Sequence, residues 1–281
     1  MSGHDSSPTI APRPPDHLAE VPLPASTTFL HLSDLHLAPP GQLVSGVDPM
    51  RQMQGVLARI RQLDVSPAFI VVSGDLSNDG SAASYEVVKG LLAELGGEDT
   101  PVLLAVGNHD DRATFRRVVL EEDAADGQET YRYSQLIDGL RVIVLDSLIP
   151  GQDSGEVGLA QLAWLEEELR APAPRGNLIV LHHCCRLAGP AHYYPAFIPR
   201  DVAELEAVVA RHRGQVLGVL AGHSHQANAA PFGGTLYATA PAVLCQLDFF
   251  NGEQFTPIPG AGFNLCEIDD GQLVVHPELL R

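Results

Sequence analysis

Short, almost continuously apolar runs recur along this chain, and they constrain its fold more than any other feature. They cover residues 29–32, 69–72, 102–106, 142–145, 178–181 and 216–220. Runs of this length that are apolar at every position are typical of strands buried on both faces. The chain therefore predicts a sheet core whose two faces are both covered.

Stretches with helical periodicity lie between the apolar runs. The first has apolar side chains at positions 50, 53, 57, 60 and 63, and it follows Asp48 and Pro49, a capping residue and a proline suited to a first helical turn. Three more stretches lie within residues 85–95, 159–169 and 202–209. Strands and helices therefore alternate, which predicts an α/β fold with helices around the sheet core. From alternation alone, the expected arrangement is one doubly wound sheet.

The two ends of the chain depart from this alternation. Residues 1–26 hold prolines among polar residues without a regular pattern, so we expect a disordered Pro-rich arm. Residues 27–240 are expected to form the main domain. From about Leu236 the pattern changes to short strand-like pieces with turn residues. Residues 241–281 are thus predicted to add C-terminal strands or a cap to the same domain, or to form a homo-oligomer contact through the apolar stretch 243–250.

The charge balance argues against several kinds of partner. Lys and Arg number 17 against 35 Asp and Glu, a formal net charge of -18. Nucleic-acid backbones and anionic membranes are repelled by such a charge, so a small ligand is expected. Without a bilayer-length apolar run or a secretory signal in the first 26 residues, we predict a cytoplasmic protein. The four cysteines lack CxxC spacing and are predicted to be reduced thiols.

Five of the apolar runs are followed directly by residues that bind metals or move protons. The segments are Ser33-Asp34-Leu35-His36, Gly74-Asp75, Gly107-Asn108-His109-Asp110, His182-His183 and Gly222-His223-Ser224-His225. In an open sheet, residues at the carboxyl ends of strands converge even when they are distant in sequence. In an extended backbone, Asp34 and His36 point the same way, as do His223 and His225.

The conjunction of these segments carries more weight than any one of them. Gly-Asp and Gly-Asn are common turn dipeptides. However, carboxylates and histidines are costly to bury at strand ends unless they are paired or coordinated. A glycine precedes Asp75, Asn108 and His223, where it permits a tight turn and close backbone approach. Together the five segments predict one functional site.

The order of these motifs resembles the calcineurin-like metallophosphoesterase superfamily over about residues 27–240. Within it, the Asp-x-His opening and the His-His pair are most similar to class III cyclic-nucleotide phosphodiesterases and bacterial glycerophosphodiesterases. The resemblance implies a four-layer αββα sandwich in place of the single doubly wound sheet. It also implies two divalent metal ions, for which the mixed oxygen and imidazole ligands suit Fe, Mn, Zn or Co.

Carried over residue by residue, the resemblance implies seven metal ligands and one catalytic histidine. The first metal takes Asp34, His36, Asp75 and His225, and the second takes Asp75 as a bridge, Asn108, His182 and His223. One bridging carboxylate holds two cations roughly 3.5–4 Å apart. His109 is the catalytic residue, either as a general acid toward the leaving oxygen or as a stabiliser of phosphoryl charge. The alternative is that His109 has no catalytic role and only packs behind the metal ligands.

Contacts with substrate are predicted for His183 and Arg186. His183 either touches substrate or holds His182 in place. Arg186 is predicted to steady a phosphate. The aromatic side chains of residues 186–199 either stack on a base or pack within their own loop. Cys184 and Cys185 stand where prolines are usual in the most similar group, so substrate specificity stays open.

The resemblance implies hydrolysis of a small phosphodiester, a 3',5'-cyclic nucleotide or a glycerophosphodiester, by metal-bound hydroxide. Purple acid phosphatases have a tyrosine ligand where this chain has Asn78, and the loop after Asp75 lacks the arginine of protein phosphatases. Phosphomonoester hydrolysis at the same metals is the alternative. Two other classes are a cysteine nucleophile at Cys184 or Cys185 with a histidine base, and a site that binds metal or nucleotide without turnover.

Overall fold

Thirteen strands are found in a computed structural model, which describes residues 26–96, 99–122, 127–250 and 255–280. In chain order they are Ser26–Leu32 (β1), Ile70–Ser73 (β2), Val102–Ala105 (β3), Tyr133–Ile137 (β4), Leu140–Val144 (β5), Asn177–Val180 (β6), Val216–Ala221 (β7), Ala229–Phe232 (β8), Thr235–Thr239 (β9), Gln246–Asp248 (β10), Thr256–Ile258 (β11), Ala261–Asp269 (β12) and Gln272–Leu280 (β13). The predicted arm lies outside the described residues, apart from Ser26 at the start of β1.

These strands form two large sheets and one hairpin. The first sheet has the order β13-β12-β1-β2-β3, and the second has the order β4-β5-β6-β7-β9-β8. Strands β1, β2 and β3 are parallel, as are β5, β6, β7 and β9. Antiparallel strands lie at both edges of the second sheet and at one edge of the first, whose other edge is β3. Among the described strands, β10 pairs with β11 alone. Each sheet thus has a parallel centre whose carboxyl ends face one way.

Helices cover the outer face of each sheet. They are Pro49–Gln62 (α1), Ala82–Gly96 (α2), Arg112–Val118 (α3), Leu159–Arg170 (α4), Tyr194–Phe197 (α5) and Val202–Arg211 (α6), with a 3-10 turn at Ala191–Tyr193. Apolar side chains of α1, α2 and α3 pack on the first sheet, and those of α4 and α6 pack on the second. Within the described ranges, no helix is both long and apolar enough to cross a membrane.

A third apolar cluster fills the space between the two sheets. Phe29 and Phe69 stack there with ring centroids 4.6 Å apart, against Val142 and Val180 from the second sheet. Because both faces of each sheet are buried, the strands are apolar at successive positions. The layers follow the order helix, sheet, sheet, helix, which confirms the αββα sandwich and corrects the single doubly wound sheet expected from alternation alone. The alternation of strands and helices along the sequence does not show which strands pair, so it could not indicate two sheets.

The predicted helices and buried strands occur at the expected places. Asp48 caps α1, since its Oδ1 accepts hydrogen bonds from the main-chain nitrogens of Met50 (3.0 Å) and Arg51 (3.2 Å), and Pro49 is the first helical residue. Among the elements that were not predicted are α3 and β4. Both are short, and β4 is half exposed, so neither carries a long apolar signal.

The C-terminal strands complete the first sheet. Strand β12 pairs antiparallel with β1, with Phe29 opposite Cys266, and β13 forms the edge beside it. The apolar stretch 243–250, proposed as an oligomer contact, is mostly buried within this chain. Phe249 is 1% exposed and Phe250 is 67% exposed. Most of that stretch therefore offers no apolar surface to a second copy.

Candidate metal centre

The carboxyl ends of the central strands of both sheets meet at one end of the sandwich. Main-chain hydrogen bonds join the segments that leave them: Asp34 N–H donates to Gly74 O at 3.1 Å, and Gly222 N–H donates to His182 O at 2.9 Å. The two sheets are also linked here, because the His182 ring contacts Ser73 O at 2.8 Å through Nδ1. All five segments singled out in the sequence are therefore brought together.

Two fully buried groups of donor atoms lie in this cluster, each with its atoms within 4.8 Å of one another. One contains Asp34, His36 and His225, and the other contains Asp75, His182 and His223. A third group of the same size consists of His36, Asp75 and the exposed His109. In the first group, His225 Nε2 lies 3.1 Å from His36 Nε2 and 3.5 Å from Asp34 Oδ1. This grouping agrees with the predicted division between two metals, although the individual ligand assignments remain predictions.

Asp75 stands between the two groups. Its Oδ2 lies 3.4 Å from His36 Nε2 and 3.4 Å from His182 Nε2. Its Oδ1 accepts a hydrogen bond from the main-chain nitrogen of His109 at 2.9 Å. Burial opposes ionisation, but His182 and His36 hold the pKa of Asp75 well below its usual range. The carboxylate is thus placed to be shared by two cations.

Main-chain carbonyls set the orientation of three histidines. The ring contacts are His182 Nδ1 with Ser73 O (2.8 Å), His223 Nε2 with Ala196 O (3.0 Å) and His225 Nδ1 with Cys245 O (2.8 Å). A carbonyl only accepts, so each contacting nitrogen carries the proton and the other presents its lone pair. His36 differs, because its Nδ1 is buried without a partner among the described residues.

At His182 the donor atoms lack a proton to pair with one another as long as the imidazole is neutral. With Nδ1–H held by Ser73, neutral His182 turns an Nε2 lone pair toward Asn108 Oδ1 (3.0 Å) and Asp75 Oδ2. Burial alone lowers the pKa of His182, but the charge of Asp75 outweighs it and raises the pKa to about 9. The cluster therefore calls for positive charge. It fits a dinuclear metal site, because divalent cations supply that charge to mixed oxygen and imidazole donors.

Five of the seven predicted ligands have left-handed backbone conformations. The φ angles are 54° at Asp34, 44° at His36, 49° at Asp75, 67° at His223 and 53° at His225. The expectation of an extended backbone at the two paired motifs was therefore wrong. Non-glycine residues enter this region at a cost, and such strain concentrates at functional sites where surrounding contacts hold it. Left-handed turns aim these side chains into the space between the strand ends.

The predicted close approach at the motif glycines is confirmed. A Cβ at Gly222 would overlap Ser33 Oγ and approach Asp34 Oδ2 to 2.8 Å, and one at Gly107 would overlap Asp75. Gly74 has φ of 102°, and a Cβ there would lie 2.5 Å from His182 Nδ1. These glycines let the strand ends pack directly against the donor side chains.

Gly222→Ala is expected to lower the free energy of unfolding by about 1–3 kcal/mol, the range for overpacking a tight interior. It should also weaken metal binding, because the added methyl pushes on Ser33 and Asp34. Gly214→Ala is the matched control, since a Cβ there meets nothing within 4 Å. Urea denaturation and metal analysis of both variants test the expectation. Equal behaviour of the two would contradict the packing argument.

His109 lies at the open side of the cluster. It is exposed, and its ring is edge-on to His36 with centroids 4.6 Å apart. Its Nδ1 contacts the main-chain oxygen of Asn78 at 2.8 Å, and its Nε2 has no hydrogen bond to a described residue. A histidine held by one nitrogen at the edge of a buried donor cluster is suited to proton transfer.

Two polar residues that support the site had no predicted role. Buried Asp110 accepts hydrogen bonds from the main-chain nitrogens of Gly107 (2.8 Å) and Leu76 (3.1 Å), so it joins the loops after β2 and β3. Buried His31 contacts Ser73 Oγ at 2.9 Å beneath the cluster. Asp110 lies within the Gly107-Asn108-His109-Asp110 motif, and this position was the one sequence feature that could have indicated its role. Nothing near His31 in sequence indicated its contact.

His183 lies behind the cluster. It is fully buried, and its ring nitrogens contact Ser147 Oγ (2.7 Å) and Asp153 O (3.1 Å). Burial and the neighbouring His182 lower its pKa to about 3. With both nitrogens occupied, the ring is placed to support its neighbours. This placement runs against the predicted substrate contact and favours the alternative, in which His183 holds His182.

Arg186 lies outside the cluster. Its guanidinium is half exposed and pairs with Glu206 of α6 at 2.6 Å. It contributes to a different surface hollow from the one over the donor atoms. This placement gives no support to the predicted phosphate contact. The Arg186 charge is already paired with Glu206, at a distance from the strand ends that carry the donor atoms.

The two adjacent cysteines are unsuited to act as nucleophiles. Cys184 is fully buried and its Sγ donates to Gly222 O at 3.1 Å. Burial raises its pKa to about 11 and raises that of Cys185 well above the usual range. Since the thiolate is the reactive form, burial and the raised pKa values argue against the cysteine-nucleophile class.

A cavity of about 330 Å³ opens over the donor cluster. Its wall is formed by Asp75, Asn108, His109, Asp153, Ala196, Phe197, His223, His225, Leu247 and Phe255. Of the aromatic side chains in residues 186–199, Phe197 reaches this wall and lies 4.7 Å from the His223 ring. Tyr193 packs behind it against Phe249. The loop thus both packs on itself and borders the cavity.

The fold and this donor cluster agree with one family of enzymes. Residues 27–227 match the calcineurin-like phosphoesterase family, and the chain belongs to it. A probable cyclic nucleotide phosphodiesterase of Rhodococcus erythropolis is 35% identical, over 92% of this chain and 84% of the relative. A Mycobacterium tuberculosis protein named cAMP/cGMP dual specificity phosphodiesterase is 37% identical, over 82% and 71%. A dimetal phosphatase from Danio rerio shares the fold, with a TM-score of 0.66 and 16% identity over 90% of this chain and 98% of that one.

Proposed function

We propose that this protein hydrolyses small phosphodiesters at a dinuclear metal site, with 3',5'-cyclic nucleotides as the first substrates to test. The observation that carries the proposal is the position of Asp75, which faces both donor groups at 3.4 Å while His109 borders the cavity beside it. A shared carboxylate with an adjacent free imidazole is suited to displacement at phosphorus. Glycerophosphodiesters are the other substrate class.

The chain's own residues have distinct tasks in this proposal. Two bound cations would supply positive charge at the phosphoryl group and an acidified water as the nucleophile. Asp34, Asp75, Asn108 and the four cluster histidines would hold them. His109 keeps Nδ1–H on Asn78 O, so Nε2 of its imidazolium form is the atom that gives a proton to the leaving oxygen. The apolar wall at Phe197 and Phe255 faces the rest of the substrate.

Two observations support diesters over monoesters. The loop after Asp75 has Asn78 and no arginine, where monoesterase relatives resembling this chain have a tyrosine ligand or an arginine. Both relatives compared above are named for cyclic nucleotides, which are diesters. The phosphomonoesterase alternative uses the same donor cluster, so only turnover separates the two functions.

The expected result is a clearly higher kcat/KM for a diester than for its monoester. The protein is stripped of metal and reconstituted separately with Mn, Zn, Fe and Co, and cAMP is compared with AMP at one pH. Bis(4-nitrophenyl) phosphate and 4-nitrophenyl phosphate form a second pair. A higher kcat/KM for the monoesters would establish the phosphatase alternative. Tight binding of metal and nucleotide without turnover would establish the non-catalytic class.

A further inference from the structure

The lining of the cavity contains one acidic residue besides the candidate ligand Asp75. Apart from the donor cluster and His109, that wall consists of Asp153 and the apolar residues Ala196, Phe197, Leu247 and Phe255. Among the described residues that line the cavity, none is a lysine or an arginine. Besides the donor cluster and His109, an anionic ligand in this cavity therefore finds one charged residue in the described lining, Asp153.

Asp153 is held at the wall through its main chain. Its carbonyl oxygen accepts the hydrogen bond from His183 Nε2 at 3.1 Å. The rest of the loop is fixed by Arg200 N–H on Gly155 O (2.9 Å) and by Asp201, which accepts from the main-chain nitrogen of Val157 at 3.0 Å. The Asp153 side chain is exposed and forms no hydrogen bond or ion pair with a described residue. The Arg200 guanidinium donates to the neighbouring side chains of Gln152 and Ser154 and forms no ion pair with Asp153. The Asp153 carboxylate is thus unpaired among the described residues, and its backbone is fixed.

We infer that Asp153 is a specificity-determining residue that selects against ligands with a second negative charge. This inference rests on the proposed function. A phosphodiester carries one negative charge at neutral pH, whereas a phosphomonoester carries close to two, because its second pKa is about 6. An unpaired carboxylate on the wall of a small cavity repels the additional charge and leaves the monoanion less affected.

The same repulsion acts on the product. Hydrolysis of a monoanionic diester by water breaks one P–O ester bond and yields an alcohol and a monoester, which releases most of its second proton at neutral pH. The product is therefore more negative than the substrate. Asp153 then weakens binding of the product and limits inhibition by it, which gives the residue a role in turnover without contact with the reacting atoms.

Asp153→Asn tests the inference, because asparagine keeps the shape and the main-chain anchor to His183 while removing the charge. The metal-loaded variant and the wild type are titrated at pH 8 with phenylphosphonate, a dianion, and methylphenylphosphinate, a monoanion, neither of which has an ester bond to hydrolyse. Calorimetry gives Kd, and inhibition of bis(4-nitrophenyl) phosphate hydrolysis gives Ki. We expect roughly 3–10-fold tighter binding of phenylphosphonate and less than about 2-fold change for methylphenylphosphinate. Raised ionic strength should reduce the difference.

Asp270→Asn is the matched control. Asp270 lies in the turn between β12 and β13, next to Asp269. Asp269 pairs with Ser26 at the start of β1, whereas Asp34 follows the other end of that strand. Asp270 is therefore at the opposite end of β1 from the donor cluster. Equal effects of the two substitutions, or equal changes for both ligands, would overturn the inference. A wild type that prefers monoesters would instead overturn the proposed function, and the ligand comparison would still show whether Asp153 discriminates by charge.

Discussion

Asp75→Ala is expected to leave the protein nearly inactive, with kcat reduced by at least about 10²-fold, the upper range for losing a group that only supports metal ligands. The expected loss of kcat is larger for Asp75 than for such a supporting group, because its Oδ2 faces His36 and His182 at the same distance of 3.4 Å. Without this carboxylate, each donor group loses an anionic oxygen, and no side chain is shared between the two groups. Metal content is expected to fall together with turnover.

Elemental analysis of the purified variant, combined with turnover of a diester, tests this expectation. Asp64→Ala serves as the control, because Asp64 is exposed in the loop after α1 and lines none of the cavity. Two metals at full occupancy with normal rates in Asp75→Ala would end the bridging assignment. Loss of metal, with the same thermal unfolding as the metal-free wild type, would show that the effect is local to the site.

His109→Ala is expected to slow hydrolysis of an alkyl or ribosyl diester by about 10²–10⁴-fold, the usual contribution of a general acid. A ribose or glycerol oxygen leaves poorly as an alkoxide, so protonation by His109 matters. Nitrophenolate leaves readily without a proton. The same substitution should therefore have a much smaller effect on bis(4-nitrophenyl) phosphate.

The comparison requires that both metals stay bound, which metal analysis of the variant establishes. His109→Gln provides a second variant that keeps a polar group at the cavity edge without an acidic proton. If His109 only stabilised phosphoryl charge, both substrates would slow by similar factors, because that charge develops in each reaction. Equal losses across the two leaving groups would reject the acid role.

Support for the candidate site extends well beyond the recognised motifs. Ala196 O and Cys245 O orient His223 and His225, and they come from the short helix α5 and a C-terminal segment, neither of which carries a motif. Strand β12 pairs with β1, which ends next to Asp34. Changes in the last quarter of the chain are thus able to disturb the donor cluster from a distance, through main-chain geometry.

The amino-acid sequence alone determined the parts of this protein that depend on local pattern. Buried strands show as apolar runs, helices show as periodic stretches, and Asp48-Pro49 marks the start of α1. The candidate ligands could also be named, because each follows a strand directly and the order of motifs is particular to one family. Both kinds of signal reside in neighbouring residues, so they need no knowledge of the fold.

Only the tertiary structure decided how these parts meet. Three features of the site depend on contacts between residues distant in sequence. They are the left-handed backbone at Asp34 and His225, the burial of His183, and the ion pair with Glu206 that holds Arg186 away from the donor cluster. The same holds for Asp153, whose place at the cavity depends on His183. Such contacts often use main-chain carbonyls, which every residue type carries. No pattern of side chains records them, and the packing of two sheets brings them into place.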